Sequence, residues 1–274
     1  EFGFQSFPEM KTISTFASPK DYQIESEVMT AHQKSSIGNS LIRTYMERDY
    51  IVPKKFEDFI YVGLLLQGKG IRHGLEAHRR NRPYCMGTMY WQLNDSWPVV
   101  SWSSIDYYGN WKALHYEVQR AFEPVLINPI QKKDSLHIYL ISDLLTNLNQ
   151  ASLEIKIINF EGKQLGKKKT LYPLNIRSNT SQYSFLQLTL KSQKAKILAE
   201  TIHFFRKPKD LALPQTKISS KIKVLDGKYE LILSSPKLAK DVFIEIPLQG
   251  AHFSDNFFDL LPGKQKKIII ESPL

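Results

Sequence analysis

The hydrophobic periodicity of the chain changes near residue 124, and this change predicts two kinds of structure in one polypeptide. Before that point, apolar residues recur at spacings of three and four over residues 39–50, 55–80 and 111–122, which predicts amphipathic helices. After it, short segments alternate apolar and polar side chains between turn residues such as Asp226-Gly227, which predicts antiparallel strands. We therefore expect a helical part followed by an all-β part.

One strand is predicted inside the helical part. Residues 84–93 are apolar and aromatic throughout, and this run is typical of a strand that is buried on both faces of a parallel sheet. A helix, a buried strand, a long loop and another helix form a βα unit of the kind that ends a (β/α)8 barrel. Cys85, the single cysteine, lies in the run and is expected to be buried; a lone cysteine excludes an intramolecular disulfide.

Two prolines divide the all-β part. Pro208 and Pro214 interrupt the strand pattern, which gives three predicted units: residues 1–123, 124–210 and 211–274. The expected fold is multidomain, α/β plus all-β: the incomplete C-terminal part of a (β/α)8 TIM barrel, comprising its last two βα units, followed by two Ig-like β-sandwich domains. The last unit is small, so we expect it to pack against its neighbours. The opening Glu1 lacks a preceding Met and a helix-start pattern, and we expect the chain to be a piece of a longer protein.

The net charge of +10 does not by itself predict a nucleic-acid partner. Residues 1–123 carry 14 basic and 14 acidic side chains, so the excess lies in the all-β part, with 23 basic and 13 acidic side chains. These lysines are scattered and no aromatic-basic motif accompanies them, so we expect a solvated surface and no nucleic acid as partner. The sequence contains no run of eighteen apolar residues, so no membrane partner is expected. The histidines are dispersed, so neither a metal nor a cofactor is expected.

An aromatic loop is the first candidate for chemistry. All four tryptophans lie between Trp91 and Trp111, after the predicted buried strand. Barrel enzymes place their active sites beyond the carboxyl ends of such strands. Aromatic rings suit the apolar face of a sugar, and Asn94 and Asp95 could bind its hydroxyl groups. For Trp91, sugar binding and packing are equally supported, whereas packing is favoured for Trp97, Trp102 and Trp111.

The second candidate is Glu1. It precedes the short apolar segment Phe2-Gly3-Phe4, which could be part of another strand. A carboxylate at a strand end of a barrel could be a nucleophile or a general acid of a glycosidase. A terminal glutamate is otherwise simply a solvated charge, so the pattern alone leaves both interpretations open.

Several segments together resemble the β-mannosidases of glycoside hydrolase family 2. The segments that carry this resemblance in the helical part are residues 1–8, 87–98, with its Tyr-Trp-Gln-Leu-Asn-Asp stretch, 101–109 and 111–116. Residues 203–209 and 213–214 resemble the first of the family's two C-terminal β-domains, and residues 253–256 and 261–263 resemble the second. The resemblance therefore covers nearly the whole chain.

The resemblance implies a retaining exo-β-mannosidase that removes terminal β-linked mannose from a manno-oligosaccharide or glycan by double displacement. It makes Glu1 the catalytic nucleophile, Trp91 a residue lining the sugar subsite, and Asn94 and Asp95 nearby polar contacts. The family's general acid/base is the glutamate of an Asn-Glu pair, and no asparagine in this chain precedes a glutamate. We therefore expect a C-terminal fragment that is inactive alone and has the missing N-terminal half of the enzyme as its partner.

Alternatives to this interpretation remain at this point. The chain could be a non-catalytic carbohydrate-binding or interaction fragment, or a relative of the β-galactosidases and β-glucuronidases. We expect the apolar surface of an incomplete barrel to be covered by homodimerisation or by rearranged helices. Family members act in the periplasm or the lysosome. Glycosylation sequons occur at Asn94 and Asn179, and because a glycan at Asn94 would fill the sugar site, a periplasmic location is favoured.

Overall fold

The computed structural model describes residues 1–133, 135–145, 148, 150–170, 176–177 and 181–271; the sequon at Asn179 lies outside them. The helical part contains five α-helices and two short strands, numbered in chain order. The helices are α1 Met10–Ile13, α2 Glu27–Ala31, α3 Gly38–Asp49, α4 Phe56–Arg80 and α5 Ala113–Ala121, and the strands are β1 Phe2–Gly3 and β2 Tyr90–Trp91. None of the described helices is long and apolar enough to cross a membrane.

The three helices predicted from periodicity are confirmed, and α4 is the longest of the described helices, with 25 residues. Gly68 of α4 allows α5 to pack closely, because a Cβ atom there would lie 3.2 Å from the backbone of Ala113. From the sequence, Asn39 or Ser40 is the candidate N-cap of α3, but Ile37 occupies that position. The Asn39 side chain instead donates to the carbonyl of Ile24 at 2.6 Å, so this tertiary contact replaces the expected capping hydrogen bond.

Strands β1 and β2 form a two-stranded parallel sheet with Phe2 opposite Tyr90 and Gly3 opposite Trp91. The rings of Phe2 and Tyr90 pack against a core formed by Ile71, Leu75, Leu114, Val118 and Ala121 of α4 and α5. The described residues contribute two parallel strands and covering helices, and they do not form a barrel.

The predicted strand over residues 84–93 is wrong in length and in burial. Pairing is restricted to Tyr90 and Trp91, while Tyr84 is 97% exposed and Met86 72% exposed. The physical reason is that β2 has a strand neighbour on one side alone, and the helices cover one face of the pair. Cys85 is partly exposed rather than buried.

The described residues of the middle part form two antiparallel sheets. Its strands are β3 Val125–Lys132, β4 Ser135–Ser142, β5 Ser152–Asn159, β6 Gln164–Thr170, β7 Ile176–Arg177, β8 Ser184–Lys191 and β9 Ile197–Phe204. They pair in the orders β3-β4-β7 and β6-β5-β8-β9. Alternate residues of both sheets, among them Ile127, Leu136, Ile155 and Leu188, share one buried core, as expected for a sandwich.

In the C-terminal part, the described residues form six strands in two sheets. They are β10 Ser219–Leu225, β11 Lys228–Ser234, β12 Ala239–Val242, β13 His252–Phe253, β14 Phe258–Leu260 and β15 Gln265–Glu271, paired as β10-β11-β15-β13 and β12-β14. The sequence pattern predicts a strand over residues 242–246, but β12 begins earlier and ends at Val242. Beyond it, the Asn256 side chain binds both the N–H and the carbonyl of Ile244, at 2.8 Å each, in place of a neighbouring strand.

The C-terminal part packs directly on the helical part, as its small size predicted. One apolar core joins Leu64 and Tyr116 of the helices to Leu231, Phe258 and Ile268 of the sheets. Polar contacts cross the same boundary: the Tyr61 hydroxyl donates to the carbonyl of Asp241 at 2.5 Å. The two parts therefore form one continuous packed unit.

Candidate functional site

The sheet of β1 and β2 has one face that the helices leave open. Phe2 and Tyr90 point toward the helices, so strand alternation puts Glu1, Gly3 and Trp91 on the opposite face. Glu1 is exposed and Trp91 is 49% exposed. This open face brings together two of the four predicted site residues.

Gly3 allows the Trp102 ring to contact part of this face. A Cβ atom at position 3 would lie 2.8 Å from the carbonyl oxygen of Trp91 and 2.9 Å from Cδ1 of Trp102. Any side chain here would displace β1 from β2 or move the Trp102 ring. The glycine therefore permits the close contact between the two strands and the aromatic loop.

The loop after β2 is held by backbone hydrogen bonds around Leu93. The Leu93 carbonyl accepts from the N–H of Ile105 at 2.8 Å and from the hydroxyl of Ser104 at 2.9 Å. Asn94, the next residue, pairs with Ile105 in an isolated bridge, and its side chain is exposed. Asn94 thus stands on a fixed backbone close to Trp91.

Asp95 lies beneath the loop rather than on its surface. Its carboxylate accepts from the hydroxyls of Ser101 at 2.8 Å and Ser103 at 2.5 Å, and from Lys34 at 3.2 Å. The residue is 5% exposed. In this structure Asp95 holds the loop in shape, and its direct contact with a sugar stays a prediction.

A layer of buried charge lies under the same loop. Lys112 is fully buried and donates to the carbonyl of Ser6 at 3.2 Å; burial lowers its pKa to about 8, although Asp95, Asp106 and Glu9 favour its charged form. Burial also raises the pKa of Glu9 to about 7, outweighing its 3.0 Å ion pair with Lys11. Sequence reasoning missed this layer, because its members are far apart in the chain and follow no motif.

The pKa of Glu9 predicts a pH-dependent stability. The folded state prefers the protonated carboxyl, so this stabilisation is complete below the unfolded pKa of 4.5 and is lost as pH rises through about 7. Relative to wild type, Glu9→Gln is expected to gain about 2–3 kcal/mol in free energy of unfolding between pH 4.5 and pH 8. Urea denaturation of both proteins across that range measures the difference; a pH-independent difference would contradict the prediction.

The other tryptophans differ from one another in burial. Trp97 was expected to pack in the core, but it is 40% exposed and its ring lies 5.1 Å from the His32 ring, which stacks on Phe16 at 3.9 Å. Trp111 packs against the rings of His115, Tyr116 and His252 at 4.2, 5.3 and 4.4 Å. Trp97 therefore joins Trp91 among the exposed aromatic rings of the loop.

A large cleft among the described residues lies away from the candidate site. A cleft of about 690 Å³ separates α4 from β9 and the C-terminal part, and none of the predicted site residues lines it. Two cations of its walls are paired: Lys69 with Glu117 and Asp241, which lie outside the lining, and Arg72 with Glu76. Among the described residues, no group of three or more His, Cys, Asp or Glu side chains could hold a metal ion.

The C-terminal part is similar to a known domain family. Residues 213–273 match the model of a mannosidase Ig-fold domain family. This match confirms the predicted Ig-like fold for the C-terminal part of the chain.

Curated relatives extend the similarity to the whole chain. The chain is 26% identical over 292 aligned residues to a β-mannosidase of Capra hircus, covering 94% of this chain and 33% of the relative. It is 24% identical to β-mannosidase B of Aspergillus terreus, covering 98% of this chain and 36% of the relative. The chain thus spans about a third of the length of the curated relatives that it matches.

Solved structures show the same relationship. The crystal structure of a β-D-mannosidase from Dictyoglomus thermophilum superposes on 100% of this chain and 35% of its own length, with a TM-score of 0.85 and 28% sequence identity. An exo-chitosanase from Amycolatopsis orientalis superposes with a TM-score of 0.74 at 16% identity, which shows the fold alone. Over nearly its whole length, this chain is therefore related to the C-terminal part of the β-mannosidases of glycoside hydrolase family 2.

Proposed function

We propose that this chain carries the nucleophile and part of the sugar subsite of a retaining exo-β-mannosidase. The observation that carries the proposal is the open face of the parallel β1–β2 pair, on which Glu1 and the half-exposed Trp91 lie together. The similarity to β-mannosidases over the whole chain supports mannose as the sugar.

The retaining mechanism gives a separate role to Glu1, to Trp91 and to Asn94. In a retaining glycosidase, one carboxylate attacks the anomeric carbon and a second carboxyl about 5–5.5 Å away protonates the departing oxygen. Glu1 would form the mannosyl ester, and water, deprotonated by the second carboxyl, would release the mannose. The Trp91 ring would pack on the apolar face of the sugar, and the exposed amide of Asn94 would bind a hydroxyl group.

The second carboxyl has no evident source among the described residues of the site. Asp95 is the next carboxylate on the loop, but it is buried and already accepts three hydrogen bonds. A general acid must reach the leaving oxygen, which this arrangement prevents. We therefore propose that the acid/base comes from residues outside this sequence, and that the chain alone does not complete hydrolysis.

The same reasoning assigns β1 and β2 to a larger sheet. Parallel strands covered on one face by helices are the repeating unit of a (β/α)8 barrel, whose centre the opposite face would line. The open face of β1 and β2 would then be covered by the barrel strands that the chain lacks, and this N-terminal half of the enzyme would be its partner. The substrate would be a β-mannoside, such as a manno-oligosaccharide or a glycan with a terminal β-linked mannose.

The test is hydrolysis of an aryl β-mannoside by this chain and by the same chain extended upstream to supply the remaining barrel strands. We expect release of the aryl alcohol by the extended protein alone. Aryl β-galactoside and aryl β-glucuronide serve as controls for the sugar. Hydrolysis by the short chain would show that another of its carboxyls acts as the acid and would contradict the proposal. An extended protein that cleaves none of the three would leave a binding function as the alternative.

A further inference from the structure

A loop of the C-terminal part reaches the aromatic loop of the candidate site. This loop, residues 243–251, joins β12 to β13 and contains Gln249 at its tip. The Gln249 amide donates to the carbonyl of Lys11 at 3.0 Å and accepts from the Asn110 amide at 2.6 Å. The N–H of Gly250 donates to the Asn110 side-chain oxygen at 2.9 Å. Both ends of the Asn110 amide are therefore bound by one loop of the Ig-fold part.

Asn110 in turn closes a tight turn with Asp106. The N–H of Asp106 donates to the Asn110 carbonyl at 3.0 Å, and the Asp106 carboxylate accepts from the N–H of Asn110 at 2.9 Å. Gly109 adopts φ +81° inside the turn, a conformation that favours glycine. The Thr12 hydroxyl donates to Asp106 at 2.5 Å. Asp106 and Asn110 are both nearly fully buried, so three distant segments meet at this turn.

The turn adjoins the candidate sugar site through Ile105. Ile105 directly precedes Asp106, and its N–H donates to the Leu93 carbonyl at 2.8 Å while it pairs with Asn94. On the other side of the turn, the Trp111 ring lies 4.4 Å from His252, which follows the 243–251 loop. The backbone beneath Asn94 is therefore fixed by a turn that the C-terminal part holds at two points.

We propose that Gln249 is a positioning residue for the sugar site. It does not touch the sugar; it holds the Asp106–Asn110 turn, which holds Ile105 and thereby the Leu93–Asn94 backbone. Removal of its amide breaks one of the two hydrogen bonds that join Asn110 to the 243–251 loop, and also the bond to the Lys11 carbonyl. Asn110 keeps its bonds to Asp106 and Thr12, but the C-terminal part then holds the turn more loosely, and the turn samples other conformations. The inference rests on the proposed function, and it gives the Ig-fold part a role in substrate affinity.

The test compares three variants of the extended protein. Gln249→Ala removes the side chain, whereas Gln249→Met keeps its volume and removes its hydrogen bonds. Gln119→Ala, on the exposed face of α5, is the matched control. We expect KM for an aryl β-mannoside to rise about tenfold in both Gln249 variants with kcat changed less than about twofold, the size of one or two lost hydrogen bonds.

Hydrogen exchange of the 274-residue chain supplies a second readout. Amides of residues 104–112 are expected to exchange faster in both Gln249 variants, whereas those of β5 keep their wild-type rates. Unchanged KM in an active extended protein overturns the inference and leaves the proposed function standing. Faster exchange throughout the chain with a loss of kcat at constant KM shows a general stabilising role and also overturns it. An inactive wild-type extended protein overturns the proposed function itself, and the inference falls with it.

Discussion

Replacing Glu1 by alanine in the extended protein is expected to lower the rate of aryl β-mannoside hydrolysis by a factor on the order of 10⁴ or more, the size typical of a lost covalent nucleophile. The expectation follows from the exposed position of Glu1 on the open face beside Trp91. Glu1→Gln should be equally impaired, because an amide keeps the shape of the carboxyl but does not attack the anomeric carbon. Glu25→Gln, an exposed substitution on the loop before α2, is the matched control and should keep full activity.

Added azide distinguishes a nucleophile from an acid/base. In Glu1→Ala, azide can occupy the space of the missing carboxylate and attack the anomeric carbon once, from the face opposite the leaving group. The C–N bond forms as the glycosidic C–O bond breaks, the aryl oxygen takes up a proton from the second carboxyl, and the product is the α-mannosyl azide. Formation of the β-mannosyl azide would show that Glu1 is the acid/base instead, and undiminished hydrolysis would remove it from the reaction altogether.

The sequence predicted most of the secondary structure because each signal was local. The apolar stripe of α4 and the Asp226-Gly227 turn between β10 and β11 depend on residues a few positions apart, and both are present. The strand predicted over residues 84–93 failed because burial is a property of neighbouring strands, and β2 has one such neighbour among the described residues. The predicted N-cap at Asn39 was wrong for a similar reason, because the Asn39 side chain binds the carbonyl of Ile24, which lies far away in the chain.

The exposed residues of the candidate site could be predicted from the sequence, but the buried contacts that hold them in place could not. Trp91 was predicted as an aromatic residue at a strand end, and Glu1 as a carboxylate at a strand end. The parallel pairing of β1 and β2 puts both on one face. Asp95 was also visible, but its buried contacts with Ser101, Ser103 and Lys34 depend on tertiary structure. Gln249 lies 139 residues from Asn110 in the chain and carries no local signal at all.

The boundary between the helical and C-terminal parts depends on one buried carboxylate. Glu117 of α5 is 2% exposed and accepts from Lys69 at 2.8 Å, Arg72 at 2.8 Å and Arg120 at 3.0 Å. Burial alone would raise the pKa of Glu117, but the charges of these three residues hold it well below its usual range. Arg120 also binds Asp255 at 2.5 Å, which carries the network into the C-terminal part.

Glu117→Gln is therefore expected to lower the free energy of unfolding by about 3–4 kcal/mol at pH 7, because three partly buried cations lose their shared anion. Residual pairs such as Arg72 with Glu76 keep the loss from being larger. Since the pKa of Glu117 is depressed, its stabilisation is present above the unfolded pKa of 4.5 and is lost as pH falls, so the difference from wild type should narrow at pH 3. Urea denaturation at both pH values measures it, with the exposed Glu47→Gln of α3 as control. A loss below about 1 kcal/mol, or an equal loss in the control, would show that the Glu117 network does not hold the two parts together.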